Sequence, residues 1–328
     1  MGNFQGKHPP LQPRQEGDTD IRQEKCVKSG SDVEENTIIG FRPGIKIQHT
    51  PMLIPELNGI RALAAGAQHI LAINVRKAVL TWGANNRGQL GRKVLPRQRD
   101  NTSNLIPRAC TFPGGKWGHT DQFDVVTIGA GEYHSFAVRM DGEVYAWGCN
   151  MYGQTGIAER LLQEDSCIPL PRVVWTLPDQ QTRSITGGTD HSVAVTQDGR
   201  CLSWASVANA ALVIRREDLQ NDITDHHDTV DSRMLRTPTL VTCIDGSVAH
   251  AVAGPSHTLV VTRKGKAFGW GSNSHFEVSF IDRSDVESPK LIQSEELERR
   301  RVVGAAAGKH FSILLTERLE EWSEHLPS

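Results

Sequence analysis

The chain has 328 residues, and its 36 Lys and Arg against 38 Asp and Glu give a formal net charge of −2. A global attraction to nucleic acid or an anionic membrane is therefore not expected, and any such contact must be a local patch. No apolar run approaches the roughly 18 uninterrupted residues of a membrane helix, because the nearest candidate, 60–73, contains Arg61, Gln68 and His69.

In chain order, residues 1–29 are polar, lack a basic region followed by an apolar stretch, and read as a disordered segment without a secretory signal. Residues 30–317 read as one repeat domain and 318–328 as a tail. The first repeat is AAGAQHILAINVRKAVLTWG (64–83), and three more follow: GAGEYHSFAVRMDGEVYAWG (129–148), TGGTDHSVAVTQDGRCLSWA (186–205) and VAGPSHTLVVTRKGKAFGWG (252–271). In each, a glycine stands three residues before a histidine and a tryptophan thirteen after it: Gly66, His69 and Trp82; Gly131, His134 and Trp147; Gly188, His191 and Trp204; Gly254, His257 and Trp270. A partial fifth copy, AAAGKHFSILL (305–315), has Phe311 in the histidine's place.

Successive motif histidines lie 65, 57 and 66 residues apart, near the period of roughly 40 to 50 residues of propeller blades, with longer loops. Short β-rich runs such as HSFAV and EVYAW flank Asp141-Gly142, and equivalent runs flank Asp198-Gly199 and Lys264-Gly265, so each unit reads as a hairpin whose glycine takes positive φ. The first copy has Arg76-Lys77 there and is expected to use a different turn. The glycine allows close backbone approach, and the histidine and tryptophan fill the gap between blades. A catalytic group is needed once, whereas these histidines recur in every unit, so they read as structural.

Other signals carry less. Gly129-Ala-Gly131 precedes a strand rather than a helix and is no dinucleotide loop. Asp225, His226, His227 and Asp228 have metal-ligand side chains but lie in a polar stretch, 215–236, that reads as a solvated loop, and no metal site or cofactor is expected. Residues 295–301, EELERRR, form a short helix candidate. The six cysteines contain no Cys-x-x-Cys pair, which argues against a zinc cage or disulfide framework and fits a reducing compartment. Neither a P-loop nor a Gly-x-Ser-x-Gly elbow is present, so no covalent chemistry and no small-molecule substrate are expected.

After the first two tryptophans come WGANNRGQLG (82–91) and WGCNMYGQTG (147–156). With the Gly-x-x-His units, these make 36–315 resemble the regulator of chromosome condensation family. GSDVEENTIIGF (30–41) and TPMLIPEL (50–57) resemble the third blade of its founding exchange factor for the small GTPase Ran. The third and fourth copies depart from the pattern, running WASVANAALVI and WGSNSHFEVSF. The resemblance implies an all-β, seven-bladed propeller, of which four to five blades are visible here, so a truncated or diverged copy with an incomplete ring is expected.

It further implies guanine-nucleotide exchange on Ran, by a wedge that enters the phosphate and magnesium site. That wedge would be Ser31, Asp32, Val33, Glu34, Glu35 and Asn36. Gln68, Tyr133, Asp190, Ser256 and His310 would face the GTPase from the loops. Arg92, Lys93, Arg97, Arg99 and Arg108 would form a histone-facing loop toward the nucleosome. A nuclear, chromatin-associated protein with a cytoplasmic pool, serving nucleocytoplasmic transport, follows. The alternative reading is a non-catalytic propeller scaffold for protein-protein interaction.

Overall fold

A computed structural model of the chain describes residues 53–93, 104–113, 123–159, 166–177, 181–206 and 234–318. The repeat units fold into antiparallel sheets whose strand order follows the chain. The first contains β1 (Ile60–Ala65), β2 (His69–Asn74), β3 (Val79–Gly83) and β4 (Arg108–Ala109). The second contains β5 (Val125–Ala130), β6 (His134–Arg139), β7 (Val144–Cys149) and β8 (Cys167–Val173). The third has β9 (Thr182–Gly187), β10 (His191–Thr196), β11 (Cys201–Ser206) and β12 (Met234–Leu240), and the fourth β13 (Val248–Ala253), β14 (His257–Thr262), β15 (Ala267–Gly271) and β16 (Val286–Leu291). The hairpin β17 (Arg300–Ala307) and β18 (Ser312–Arg318) makes a fifth. The first strands of successive sheets pack side by side, so the sheets are blades of a β-propeller with these strands innermost.

Middle strands lie between neighbouring blades, which is why β10, β11 and β14 are buried along their whole length. They lack the alternation of a half-solvated sheet for the same reason. Trp147, Trp204 and Trp270 fill the described seams, and these three and Trp82 are fully buried. Each contributes roughly 4–6 kcal/mol of hydrophobic burial as an upper bound.

The motif histidine does more than fill space. Its Nε2 meets the hydroxyl that follows the motif histidine, or its Phe311 replacement, in the next blade: His69 to Ser135 at 2.8 Å, His134 to Ser192 at 2.9 Å, His191 to Thr258 at 3.0 Å and His257 to Ser312 at 3.1 Å. Ser135 in turn donates to the Gln89 carbonyl at 2.9 Å and Ser192 to the Gln154 carbonyl at 2.8 Å. Trp147 Nε1 donates to the same Gln89 oxygen and Trp204 Nε1 to the same Gln154 oxygen. A carbonyl cannot donate, so each serine spends its proton there and must accept from Nε2–H, which fixes the imidazole as the neutral Nε2-protonated tautomer. The first two seams are thus latches of imidazole, hydroxyl, backbone carbonyl and indole.

The glycine makes room for the latch. A Cβ on Gly131 would lie 2.0 Å from His134 Cε1, and one on Gly188 would lie 2.2 Å from His191 Cε1 and 2.5 Å from the Gly254 carbonyl oxygen. All three distances are far inside van der Waals contact, so only glycine allows ring and next blade to close together.

Several sequence expectations are corrected. The first hairpin uses the same turn as the others: Lys77 N bonds the Asn74 carbonyl as Gly142 N bonds that of Arg139, with Lys77 at φ 61° in the glycine's place. Asn74 Oδ1 makes this tolerable by accepting from Arg76 N and Ala78 N, both at 3.0 Å. The fourth copy keeps the loop after its tryptophan although the glycines are gone, because Phe276 and Ser279 take φ 66° and 64° there. Asn273 holds that loop through Val278 N and the Phe280 carbonyl. The helix candidate at 295–301 is one 3-10 turn, Glu295–Leu297, leading into β17. Among the described cysteines, Cys110, Cys149, Cys201 and Cys243 are free thiols, whereas Cys167 is disulfide-bonded.

The outer faces of the described array differ from its seams. Leu63 is exposed where Ile128 and Ile185 are buried, and Phe311, Ile313 and Leu315 are exposed where His257, Leu259 and Val261 are buried. Trp82 Nε1 is buried without a hydrogen-bond partner, whereas Trp147 and Trp204 each reach the glutamine carbonyl of the preceding blade.

Replacing His134 with Ala removes a fully buried ring and leaves the Ser192 hydroxyl without its donor. Stability should fall by about 3 kcal/mol, read as a shift in urea midpoint at unchanged slope. Burial holds His69 at about 4, His134 at about 3 and His191 at about 4, below the ordinary 6.5, and lowers His257 as well. The neutral ring is favoured in the fold while the unfolded chain takes up protons below pH 6.5. Stability is therefore fully present above that pH and lost as pH falls toward 4. Thermal unfolding from pH 7.5 to 4.5 should show this decline, and it should be shallower in a His191→Gln variant.

Candidate interaction surface

The turn between the first and second strand of every blade opens on one rim. Gln68, Tyr133, Asp190 and Ser256 stand there, each immediately before its motif histidine. Their carbonyls accept from Ala84 N, Cys149 N, Ser206 N and Ser272 N, two residues past the tryptophan. This shared bond brings the loop after the tryptophan to the same rim. All four residues are half-buried, while His310 in the fifth blade is exposed.

In the first, second and fourth blades the loop leans over the turn of the next blade. Arg87 acts electrostatically on Tyr133, and Tyr152 is close enough to Asp190 for that carboxylate to raise its phenol pKa, after the larger effect of burial. His275 lies against His310, ring centroids 4.3 Å apart. Arg87, Tyr152 and His275 were not among the residues singled out by sequence. Their signal was available, since each stands five residues after a motif tryptophan.

Between the second and third blades the rim is acidic. Glu132 accepts from the Thr189 hydroxyl, and Asp190 is raised to about 6, first by burial and then by the nearby Glu132 charge. Two carboxylates held together in a partly dry setting suit a Lys or Arg brought by a partner, whose charge would relieve their repulsion.

The basic residues of the first blade are less uniform than their sequence suggested. Arg92 is 9% exposed, donates to the Asn104 carbonyl at 3.2 Å, and is lowered to about 10 by burial and the neighbouring Arg108. It is therefore a structural arginine, and the expectation that it meets a partner is corrected. Lys93 is exposed and Arg108 half-buried on β4. Arg97, Arg99 and the wedge candidates Ser31, Asp32, Val33, Glu34, Glu35 and Asn36 lie outside the described residues.

Radial antiparallel blades, latched seam to seam and collecting their variable polar side chains on one rim, define a β-propeller of repeated blades. The chain belongs to the RCC1-like domain family, whose model matches residues 24–314. It is 35% identical over 292 residues to Protein pim1 of Schizosaccharomyces pombe, covering 88% of this chain and 51% of pim1. It is 30% identical over 282 residues to the guanine nucleotide exchange factor SRM1 of Saccharomyces cerevisiae, covering 84% and 55%. The crystal structure of Prp20p from Saccharomyces cerevisiae, described with its binding to Gsp1p and histones, superposes with TM-score 0.74 at 28% identity, over 85% of this chain and 61% of that one. The chain thus spans about half the length of the curated relatives it matches.

The carboxyl of Asp190 is raised, so the fold favours its protonated form. That contribution is present below the unfolded pKa near 3.8 and is lost as pH rises through about 6. Asp190→Asn should therefore melt higher than the parent at pH 7.5, with the difference vanishing near pH 4. Calorimetry at the two pH values checks this.

Proposed function

We propose that this chain is a guanine-nucleotide exchange module for the small GTPase Ran, with the propeller's loop rim as its docking face. The observation that carries the reading is the match to an exchange factor, SRM1, together with the rim. On that rim five equivalent turn positions, one per blade, present Gln68, Tyr133, Asp190, Ser256 and His310. Asp190 and Glu132 would receive a basic side chain of the GTPase.

The segment Ser31, Asp32, Val33, Glu34, Glu35 and Asn36 would act as the wedge, its carboxylates competing for the magnesium ion and its backbone displacing the phosphate-cradling loop. No covalent bond is made or broken. A factor that binds the nucleotide-free GTPase best weakens nucleotide by the same coupling energy. Lys93, Arg97, Arg99 and Arg108 would give the module a basic contact with histones, speeding association more than tightening it. Such a module would work on chromatin in the nucleus, with a cytoplasmic pool, in the service of nucleocytoplasmic transport.

Release of labelled GDP from Ran, with and without the full chain, tests the reading. Acceleration is expected, and Asp190→Ala should lower it roughly tenfold, the equivalent of about 1.4 kcal/mol. Replacing Asp32, Glu34 and Glu35 by Ala should abolish release while leaving binding to Ran measurable. Binding without acceleration at micromolar chain would identify a propeller scaffold, and absence of both would end the Ran assignment.

A further inference from the structure

The fourth and fifth blades meet on the rim through residues unlike those at the other described seams. His275 occupies the position of Arg87 and Tyr152, His310 that of Tyr133 and Asp190, and Glu277 that of Gln89 and Gln154. Glu277 keeps half of the glutamine's role: Oε2 accepts from His275 N at 2.8 Å, as Gln89 Oε1 accepts from Arg87 N at 2.8 Å and Gln154 Oε1 from Tyr152 N at 3.0 Å. The other half is inverted. In Gln89 and Gln154 the second terminal atom is an amide nitrogen that donates to Asn86 Oδ1 and to the Thr189 carbonyl. In Glu277 it is an oxygen with nothing to donate.

That oxygen, Oε1, lies 3.3 Å from His275 Nδ1 and 3.6 Å from His310 Nδ1, on a side chain only 3% exposed. The three ligand atoms are all within 4.8 Å of one another. The backbone of Glu277 is anchored from behind, because its carbonyl accepts from the Ser312 hydroxyl, the same hydroxyl that His257 meets in the latch. The imidazoles are about half exposed and can adjust by side-chain rotation. Ser274 Oγ, 3.0 Å from His275 Nδ1, is exposed and can turn to solvent.

We infer that His275, Glu277 and His310 form a binding site for a divalent transition-metal ion of the zinc class, which clips the fourth blade to the fifth. Bonds of about 2.0–2.1 Å in a tetrahedral zinc site place neighbouring donor atoms about 3.3–3.4 Å apart, the spacing that Glu277 Oε1 already keeps from one imidazole and nearly keeps from the other. Two imidazoles with one carboxylate suit zinc over magnesium or calcium, which take all-oxygen shells. Three protein ligands on an open rim leave a fourth position for water or for a carboxylate of a bound protein. The ligands come from two blades, so the ion stabilises the seam that joins them, independently of what docks on the rim.

The test uses the full chain after treatment with EDTA, titrated with Zn2+ by calorimetry and with Co2+ by visible absorption, and melted with and without Zn2+. One equivalent of Zn2+ bound with micromolar or tighter affinity, a tetrahedral Co2+ spectrum and a raised melting temperature are expected. Glu277→Gln restores the amide of the other blades and should fold normally, yet it should weaken binding at least about tenfold, as should His310→Ala. Failure of the parent chain to bind either ion at high micromolar concentration overturns the inference. Undiminished binding in either variant also overturns it, since the ion would then belong elsewhere, for instance to Asp225, His226, His227 and Asp228.

Discussion

The structure depends on one shared acceptor. At the first two seams a glutamine carbonyl takes hydrogen bonds from the hydroxyl and the indole of the next blade, and that hydroxyl in turn takes one from the imidazole of the blade behind. Buried polar groups are costly alone and favourable when every member is satisfied. Here three side chains and a backbone carbonyl from two blades meet in one dry place, and none can be replaced without stranding another. The consequences run outward: glycine is needed beside the ring, tryptophan cannot shrink, and the imidazole must remain neutral.

The same network explains why the rim is well placed. The latch fixes the motif histidine, and the residue before it gives its carbonyl to the end of the third strand, so its side chain is presented from a rigid turn. In the first, second and fourth blades the loop that follows the tryptophan is pinned by an asparagine and by a glutamine or, at the fourth, Glu277. Variation is therefore cheap on the rim and expensive beneath it. That division lets one scaffold carry an acidic pair at Glu132 and Asp190, and a histidine-rich pair at His275 and His310, without altering a strand.

Most of the fold was legible in the sequence because its cause is periodic. Four equal spacings of glycine, histidine and tryptophan declare a repeated unit, and the hairpin glycines mark its turn. What escaped was conformational. Lys77, Phe276 and Ser279 adopt a backbone that residue type alone would assign to glycine, and only the surrounding hydrogen bonds make it acceptable. The rim was legible in part, through the residues before each histidine. Its other half was missed because Arg87, Tyr152 and His275 act on the next blade rather than their own, so their shared spacing from the tryptophan marks equivalent positions without showing what those positions face. Arg92 misled for the opposite reason: a charge in an arginine-rich loop reads as solvent-facing until its burial is seen.

Each latch links a blade only to its immediate neighbour, so the propeller behaves as a one-dimensional array whose coupling is written seam by seam. At the fifth unit the imidazole gives way to Phe311, a ring that asks for no hydroxyl and carries no proton equilibrium. Acid would accordingly loosen the four histidine seams while leaving any contact made by Phe311 untouched. Melting under such conditions would proceed as an unzipping between blades, with individual sheets outlasting their order around the axis.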